Sequence, residues 1–248
     1  MRRYPTSSTS SYSFGPGPIT PVIKMLIGLN FAVFFLTALV PTLTLNFGFR
    51  PADFFERFAI WQPVTYLFIH GGISHILFNM LALWMFGVEL ERLWGSRYFA
   101  KYYFAAGIGA AITTLIVSLS PFSIADHLYF ALTIGASGAV YGVLLAYGLY
   151  FPNRPIFLYF VFPIPAKYFV IIIGMISFFS SVGGPGGNVA HTAHLGGLIA
   201  GYLYLKGGRI NFLSELRYRL ASWRINRTRR KFDVYSSDRP DDFDRHVH

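Results

Sequence analysis

The sequence predicts an all-α polytopic membrane protein: six transmembrane helices in a compact bundle, with both termini cytoplasmic. Three observations carry that prediction. Charged residues make up 13% of the 248 positions and hydrophobic ones 54%, with a mean hydropathy of +0.46. Soluble domains carry about 25% charged residues, so roughly half the usual charge is missing. Second, apolar residues gather into six stretches, roughly 22–42, 72–89, 98–119, 136–152, 167–182 and 189–206. Each approaches the ~20 residues that a helix needs to cross a bilayer. Third, with both termini inside, 19 of the 21 Lys and Arg fall on the cytoplasmic side and only Arg50 and Arg57 on the other. Without the C-terminal tail the split is still 8 to 2, a positive-inside asymmetry.

The elements follow in order. Residues 1–20 place Pro, Gly and Ser where the apolar core of a signal peptide would stand, and read as a disordered cytoplasmic lead. Residues 21–206 form the six-helix membrane domain. Before the fifth stretch, "FLYFVFPIPA" is apolar as well, but Pro163 and Pro165 interrupt a continuous helix, so it reads as an interfacial loop. Residues 207–248 form a basic, partly disordered cytoplasmic tail, read as a helix on the anionic leaflet or as a solvated anchor. Eleven of the 21 Lys and Arg lie after Leu205, in a single tail, and that distribution gives no reason to expect nucleic acid. The absence of cysteine excludes disulfides, thiolate metal sites and cysteine nucleophiles. The orientation suggests the plasma (inner) membrane of a prokaryote.

Under this topology the second, fourth and sixth spans start on the outer side, and the polar residues gather in their first turns. "HGGISHILFNMLALW" puts His75 and Asn79 four residues apart on one helical face. "GASGAVYG" carries Ser137, and "NVAHTAHLGGLIAGYLY" carries His191 and His194. Gly138 with Gly142, and Gly197 with Gly201, form two GxxxG pairs that let helix backbones approach in lipid. Such an approach brings Ser137 within reach of a histidine. A serine hydroxyl needs an adjacent base to become a nucleophile, and a neutral histidine is one that can later protonate a leaving amine. A helix N-terminus supplies backbone donors for the oxyanion, and His75 and Asn79 add side-chain donors. No acid lies in the cores of the six stretches, so a Ser–His dyad fits better than a triad.

At these residues the sequence resembles the rhomboid family of intramembrane serine proteases, over about residues 20–206. The family's GxSG stands here as "GASG" (Gly135 to Gly138), its AHxxGxxxG as "AHLGGLIAG" (Ala193 to Gly201) and its HxxxN as "HILFN" (His75 to Asn79). The resemblance implies a metal-independent, cofactor-free peptide-bond hydrolase whose substrates are membrane proteins cut in or near their transmembrane segments. It implies Ser137 as nucleophile and, by the family spacing to Gly197 and Gly201, His194 rather than His191 as base. His75, Asn79 and the Ser137 N–H would form the oxyanion hole. His191 would hydrogen-bond nearby or face the cavity, and His70 reads as a loop residue.

The family's partly inserted loop corresponds to the aromatic-rich residues 43–69. Trp61-Gln62 stands there in place of the family's Trp-Arg, which puts that loop's polar anchoring in question, not the catalytic centre. "ELERLWGSRYF" (89–99) resembles the family's cytoplasmic Glu-Arg turn, "SSVGGPGGN" (180–188) a lid, and the fifth span, with Phe178 and Phe179, a lateral gate. Three rival readings are weaker. A zinc protease would need HExxH, which is missing. A proton-coupled transporter would leave GASG unexplained and predicts repeats that the sequence lacks. A silent client-binding relative would lack the serine or the histidine, and this chain has both.

Overall fold

The computed structural model describes residues 15–121, 125–158, 162–182 and 189–209. Helix α1 (Pro21–Leu39) is followed by three short helices, α2 (Thr42–Phe47), α3 (Pro51–Glu56) and α4 (Gln62–Thr65), the last running into a 3-10 turn at Tyr66–Phe68. Then come α5 (Ile73–Trp94), α6 (Ser96–Ser118), the short α7 (Ala125–Phe130) and α8 (Ser137–Tyr150). A hairpin of β1 (Pro155–Leu158) and β2 (Phe162–Pro165) leads to α9 (Ala166–Val182) and α10 (Val189–Arg209). Among the described residues, α1, α5 and α6 are long and apolar enough to cross a membrane, while α8 and α9 are shorter apolar helices. The chain divides into two units, Met1–Leu205 and Lys206–His248. Of the second unit, only the end of α10 is described. The first 14 residues, most of the expected lid (183–188) and the tail from residue 210 lie outside the described residues.

The long helices stand within a few residues of the six apolar stretches, with one informative extension. Helix α5 runs past residue 89 to Trp94 and so includes Glu91. That carboxylate is buried. It accepts the backbone N–H groups of Val22 and Ile23 at 3.0 and 3.1 Å, the Ser96 hydroxyl at 2.6 Å, and the Thr20 hydroxyl. A charge placed on the unsatisfied N–H groups of α1 is the arrangement a helix N-terminus favours. It ties the first helix to the α5–α6 junction, where Gly95 makes the turn. Beside it, Arg92 donates to the carbonyls of Pro16 and Pro18, which fixes the segment ahead of α1.

Helix α8 packs against α6 and α10 through small residues rather than interlocking large ones. A Cβ on Gly142 would lie 2.5 Å from the Ala106 Cβ, and one on Gly138 2.7 Å from that of Ala110. A Cβ on Gly197 would fall on the Gly138 carbonyl, and one on Gly201 would come within 3.2 Å of the Gly142 Cα. The two GxxxG pairs therefore face each other, backbone to backbone, as lipid-embedded helices with small residues allow. Buried tyrosines secure the same layer. Tyr102 donates to the Gly142 carbonyl at 2.6 Å and Tyr66 to that of Gly107 at 2.7 Å.

Three regions depart from the sequence expectation. Residues 43–69 are built of short helices rather than a loop, and Gln62 supplies the polar anchoring that the missing arginine put in question. The Gln62 side chain is buried and accepts the Arg50 N–H at 3.1 Å, while the Trp61 indole N–H donates to Asn46 at 3.0 Å. The residues expected as an interfacial loop before α9 form an antiparallel ladder in which Pro155 faces Pro165 and Phe157 faces Pro163. Proline nitrogens cannot donate, so the ladder bonds fall on the Ile156–Ile164 and Leu158–Phe162 pairs and both β2 prolines turn their nitrogens outward. Finally, α7 precedes an extended stretch that pairs Thr133 with Phe49, at 2.9 and 2.7 Å, and delivers the chain to Ser137.

Candidate active site

Ser137 is the first residue of α8, and the turn before it is set by Gly135. Gly135 has φ +112°, a region closed to most side chains. A Cβ there would also meet His75 Nε2 at 2.6 Å. Its N–H donates to the Tyr66 carbonyl at 2.9 Å, which hangs the turn from the 3-10 segment. The glycine thus serves geometry and space at once, and it allows the first turns of α5 and α8 to touch.

The structure brings Ser137 and His194 together: the serine Oγ lies 2.8 Å from His194 Nε2. The contact follows from the packing below it, because Gly197 lies on Gly138 and so sets the first turns of α10 beside those of α8. With Ser137 donating to Nε2, the imidazole proton sits on Nδ1. That nitrogen is buried, and no side chain or backbone group among the described residues accepts from it. Ring orientation is fixed instead by Tyr141, which stacks on His194 with centroids 4.0 Å apart and planes 8° from parallel. His191 stands edge-on, its centroid 5.7 Å from that of His194.

His75 and Asn79 lie on α5 at the same end. His75 Nδ1 faces the Gly71 N–H at 3.4 Å, which leaves Nε2 to carry the proton and to point toward Gly135. Asn79 is buried and gives one amide N–H to the carbonyl of His75 at 2.9 Å, keeping its second donor. Among the described residues no three His, Asp or Glu side chains converge as metal ligands would.

Two residues of this neighbourhood escaped the sequence reading. Tyr141 sits four positions after Ser137, hence on the same face of α8, and that spacing was the available signal. His70 is a loop residue, as expected, but it is buried against the site. Its Nε2 faces the Ala136 N–H at 3.5 Å, and its ring centroid is 5.0 Å from that of His75. Burial, followed by the neighbouring His75, pushes its pKa down to about 4 against the pull of the Phe68 carbonyl, so it is neutral at physiological pH.

Comparison with known proteins points one way. The Rhomboid domain family model matches residues 57–208. The chain is 35% identical over 185 residues to "Rhomboid protease GluP" of Bacillus subtilis (strain 168), covering 72% of this chain and 33% of that protein. It is 30% identical over 196 residues to "Rhomboid protein 1, mitochondrial" of Saccharomyces cerevisiae, covering 74% of this chain and 52% of the relative. "Rhomboid protease AarA" of Providencia stuartii shares 30% over 158 residues, covering 58% of this chain and 54% of the relative. The chain thus spans between a third and about half of the length of these curated relatives.

Proposed function

Because this chain belongs to the rhomboid family, we propose that it is an intramembrane serine endopeptidase that cuts membrane-protein substrates through a Ser137–His194 dyad. The observation that carries the reading is the 2.8 Å contact between Ser137 Oγ and His194 Nε2. In the first step Ser137 Oγ bonds to the scissile carbonyl carbon, its proton passes to His194 Nε2, and the carbonyl π pair moves onto oxygen. The oxyanion faces the Ser137 N–H at the start of α8, the His75 Nε2–H and the uncommitted Asn79 N–H. Collapse breaks the C–N bond, and the amine leaves with the proton from His194. Water then gives a proton to His194 and its oxygen to the acyl carbon; the acyl carbon–Oγ bond breaks, Oγ takes the proton back from His194, and the acid leaves with Ser137 restored. Tyr141 holds the imidazole in the plane that serves both transfers. The glycine motif residues Gly135, Gly138, Gly142, Gly197 and Gly201 supply the close packing that holds the two side chains together.

The membrane reading adds depth to this chemistry. In the proposed topology α1, α5, α6, α8, α9 and α10 cross the plasma membrane, with both termini cytoplasmic. Helix α8 has 14 residues, a rise of about 21 Å at ~1.5 Å each, against a hydrocarbon core of about 30 Å. Its N-terminus, and Ser137 with it, therefore starts below the outer surface, where a transmembrane peptide can reach it. Helix α9, with Phe178 and Phe179 exposed, is proposed as the side through which that peptide enters.

A fluorophosphonate serine probe applied to the purified protein tests the assignment. Labelling is expected in the wild type and in His191→Ala, and absent in Ser137→Ala and His194→Ala. Loss in His191→Ala with retention in His194→Ala would exchange the histidines. A well-folded wild type that stays unlabelled would favour a silent, client-binding relative.

A further inference from the structure

A cavity of about 480 Å³ lies at the opposite end of the bundle from Ser137. Tyr147 lines it, ten residues along α8 from the serine and so about 15 Å away along the helix. Its walls are apolar: Met85, Phe86 and Ile156 join Tyr147, whose ring meets that of Phe86 edge-on at 5.0 Å. Its rim is charged with both signs. Glu89 and Arg154 form an ion pair there, and the Arg154 guanidinium lies 4.7 Å from the centroid of Phe151.

The remaining wall is a built part of the fold. Gly15 and Pro16 close one side, held by the two bonds from Arg92 to the Pro16 and Pro18 carbonyls. Gly15, at φ +87°, lies so close to the Trp84 ring that a Cβ would be 2.5 Å from it. Near this end Trp94 meets Tyr98, Tyr102 and Tyr150 edge-on, with centroids 5.1 to 5.3 Å apart. Clustered Trp and Tyr mark the depth of the lipid headgroups in a membrane protein.

We propose that this cavity is a binding site for an ethanolamine phospholipid. An apolar chamber that opens at headgroup depth fits an acyl chain. Arg154 presents the planar fork that suits a phosphate, and Glu89 beside it suits a cation. A ligand with adjoining phosphate and ammonium satisfies both and adds no net charge. An anionic headgroup would satisfy Arg154 but face the Glu89 carboxylate. A trimethylammonium group would offer Glu89 no N–H donor.

The test is lipid retention read by native mass spectrometry on the full-length chain in detergent. Phosphatidylethanolamine, phosphatidylcholine and phosphatidylglycerol with identical acyl chains are supplied in equal amounts. The wild type is expected to keep phosphatidylethanolamine over either competitor by about tenfold, the scale of one charge-assisted hydrogen bond. Arg154→Gln is expected to lose about tenfold in retention, and Glu89→Gln to lose the preference for ethanolamine over choline. Met85→Trp, which fills the chamber without touching the ion pair, is expected to lower retention even if a charge variant folds poorly. Equal retention of all three lipids, preference for phosphatidylglycerol, or indifference to both Arg154→Gln and Met85→Trp would overturn the site. Retention that appears only after removal of residues 1–14 would assign the cavity to that segment and overturn it too. None of these readouts depends on peptide cleavage, so the lipid site and the protease assignment fail separately.

Discussion

The two ends of the bundle use buried polar groups in opposite ways. At one end Glu91 accepts from four donors, three at the start of α1 and one on α6, and every one of those contacts joins parts of the scaffold. At the other end His194 touches Ser137 through one nitrogen and keeps its second nitrogen buried with no partner among the described residues. Asn79 likewise spends one amide proton on its own helix and holds the other back. A fully engaged carboxylate gives rigidity, whereas groups with unused capacity can still respond to a substrate. The difference teaches that the end carrying Ser137 and His194 is held in place from below, by glycine packing, and not by a network of its own.

The largest effect should separate chemistry from scaffold. Ser137→Ala is expected to cut peptide cleavage by at least about 10⁴-fold, while the unfolding midpoint in detergent stays within the small range of a surface change. A large loss of stability in that variant would mean that the serine is part of the scaffold after all. Next, Gly197→Ala drives a methyl group into the Gly138 carbonyl. Overpacking of this kind costs about 1–3 kcal/mol, and probe labelling should fall with the folded fraction because the histidine rides on that contact. Glu91→Gln weakens the charge-assisted bonds to the start of α1 and should cost on the order of 1.5–3 kcal/mol of stability, with the labelling rate per folded molecule unchanged. If labelling per folded molecule fell as well, the two ends would not be independent.

Smaller still, Tyr141→Leu removes the ring stacked on His194. Labelling should slow by about tenfold, consistent with an aromatic pair worth about 0.5–1.5 kcal/mol, and Tyr141→Phe should restore most of it. The last effect is on stability alone and concerns His70. Its folded pKa lies below the unfolded value of about 6.5, so between that value and about 4 the unfolded chain binds more protons. Stability should therefore fall as pH drops from 7 toward 5. His70→Gln should flatten that part of the curve, which a series of thermal melts would read.

Much of this was legible from residues alone, for physical reasons. A spanning helix must satisfy its backbone internally and present an apolar surface, so the six runs of apolar residues locate the long helices within a few positions. The motif residues were visible because close backbone contact demands glycine at a four-residue spacing. The region between α1 and α5 was not legible. Its helices are only four to six residues long, too short for an apolar period to be read over the window it needs, and short helices pinned by Gln62 and Trp61 look like loop in sequence. The hairpin before α9 was hidden because Pro163 and Pro165 argue against both a helix and an interior strand, and only a two-stranded sheet with a free outer edge accommodates them. Tyr141 was hidden in plain sight, since a tyrosine in an apolar run reads as core until its partner across the helix pair is known.

That free edge has a consequence of its own. Exposed strands recruit others through unpaired N–H groups, and proteins confined to a bilayer meet one another at high local density. On the outer side of β2 the positions that would donate are Pro163 and Pro165, neither of which has an N–H. A neighbouring copy that approaches this edge finds acceptors but no donors, so the sheet does not grow across β2 however crowded the membrane becomes.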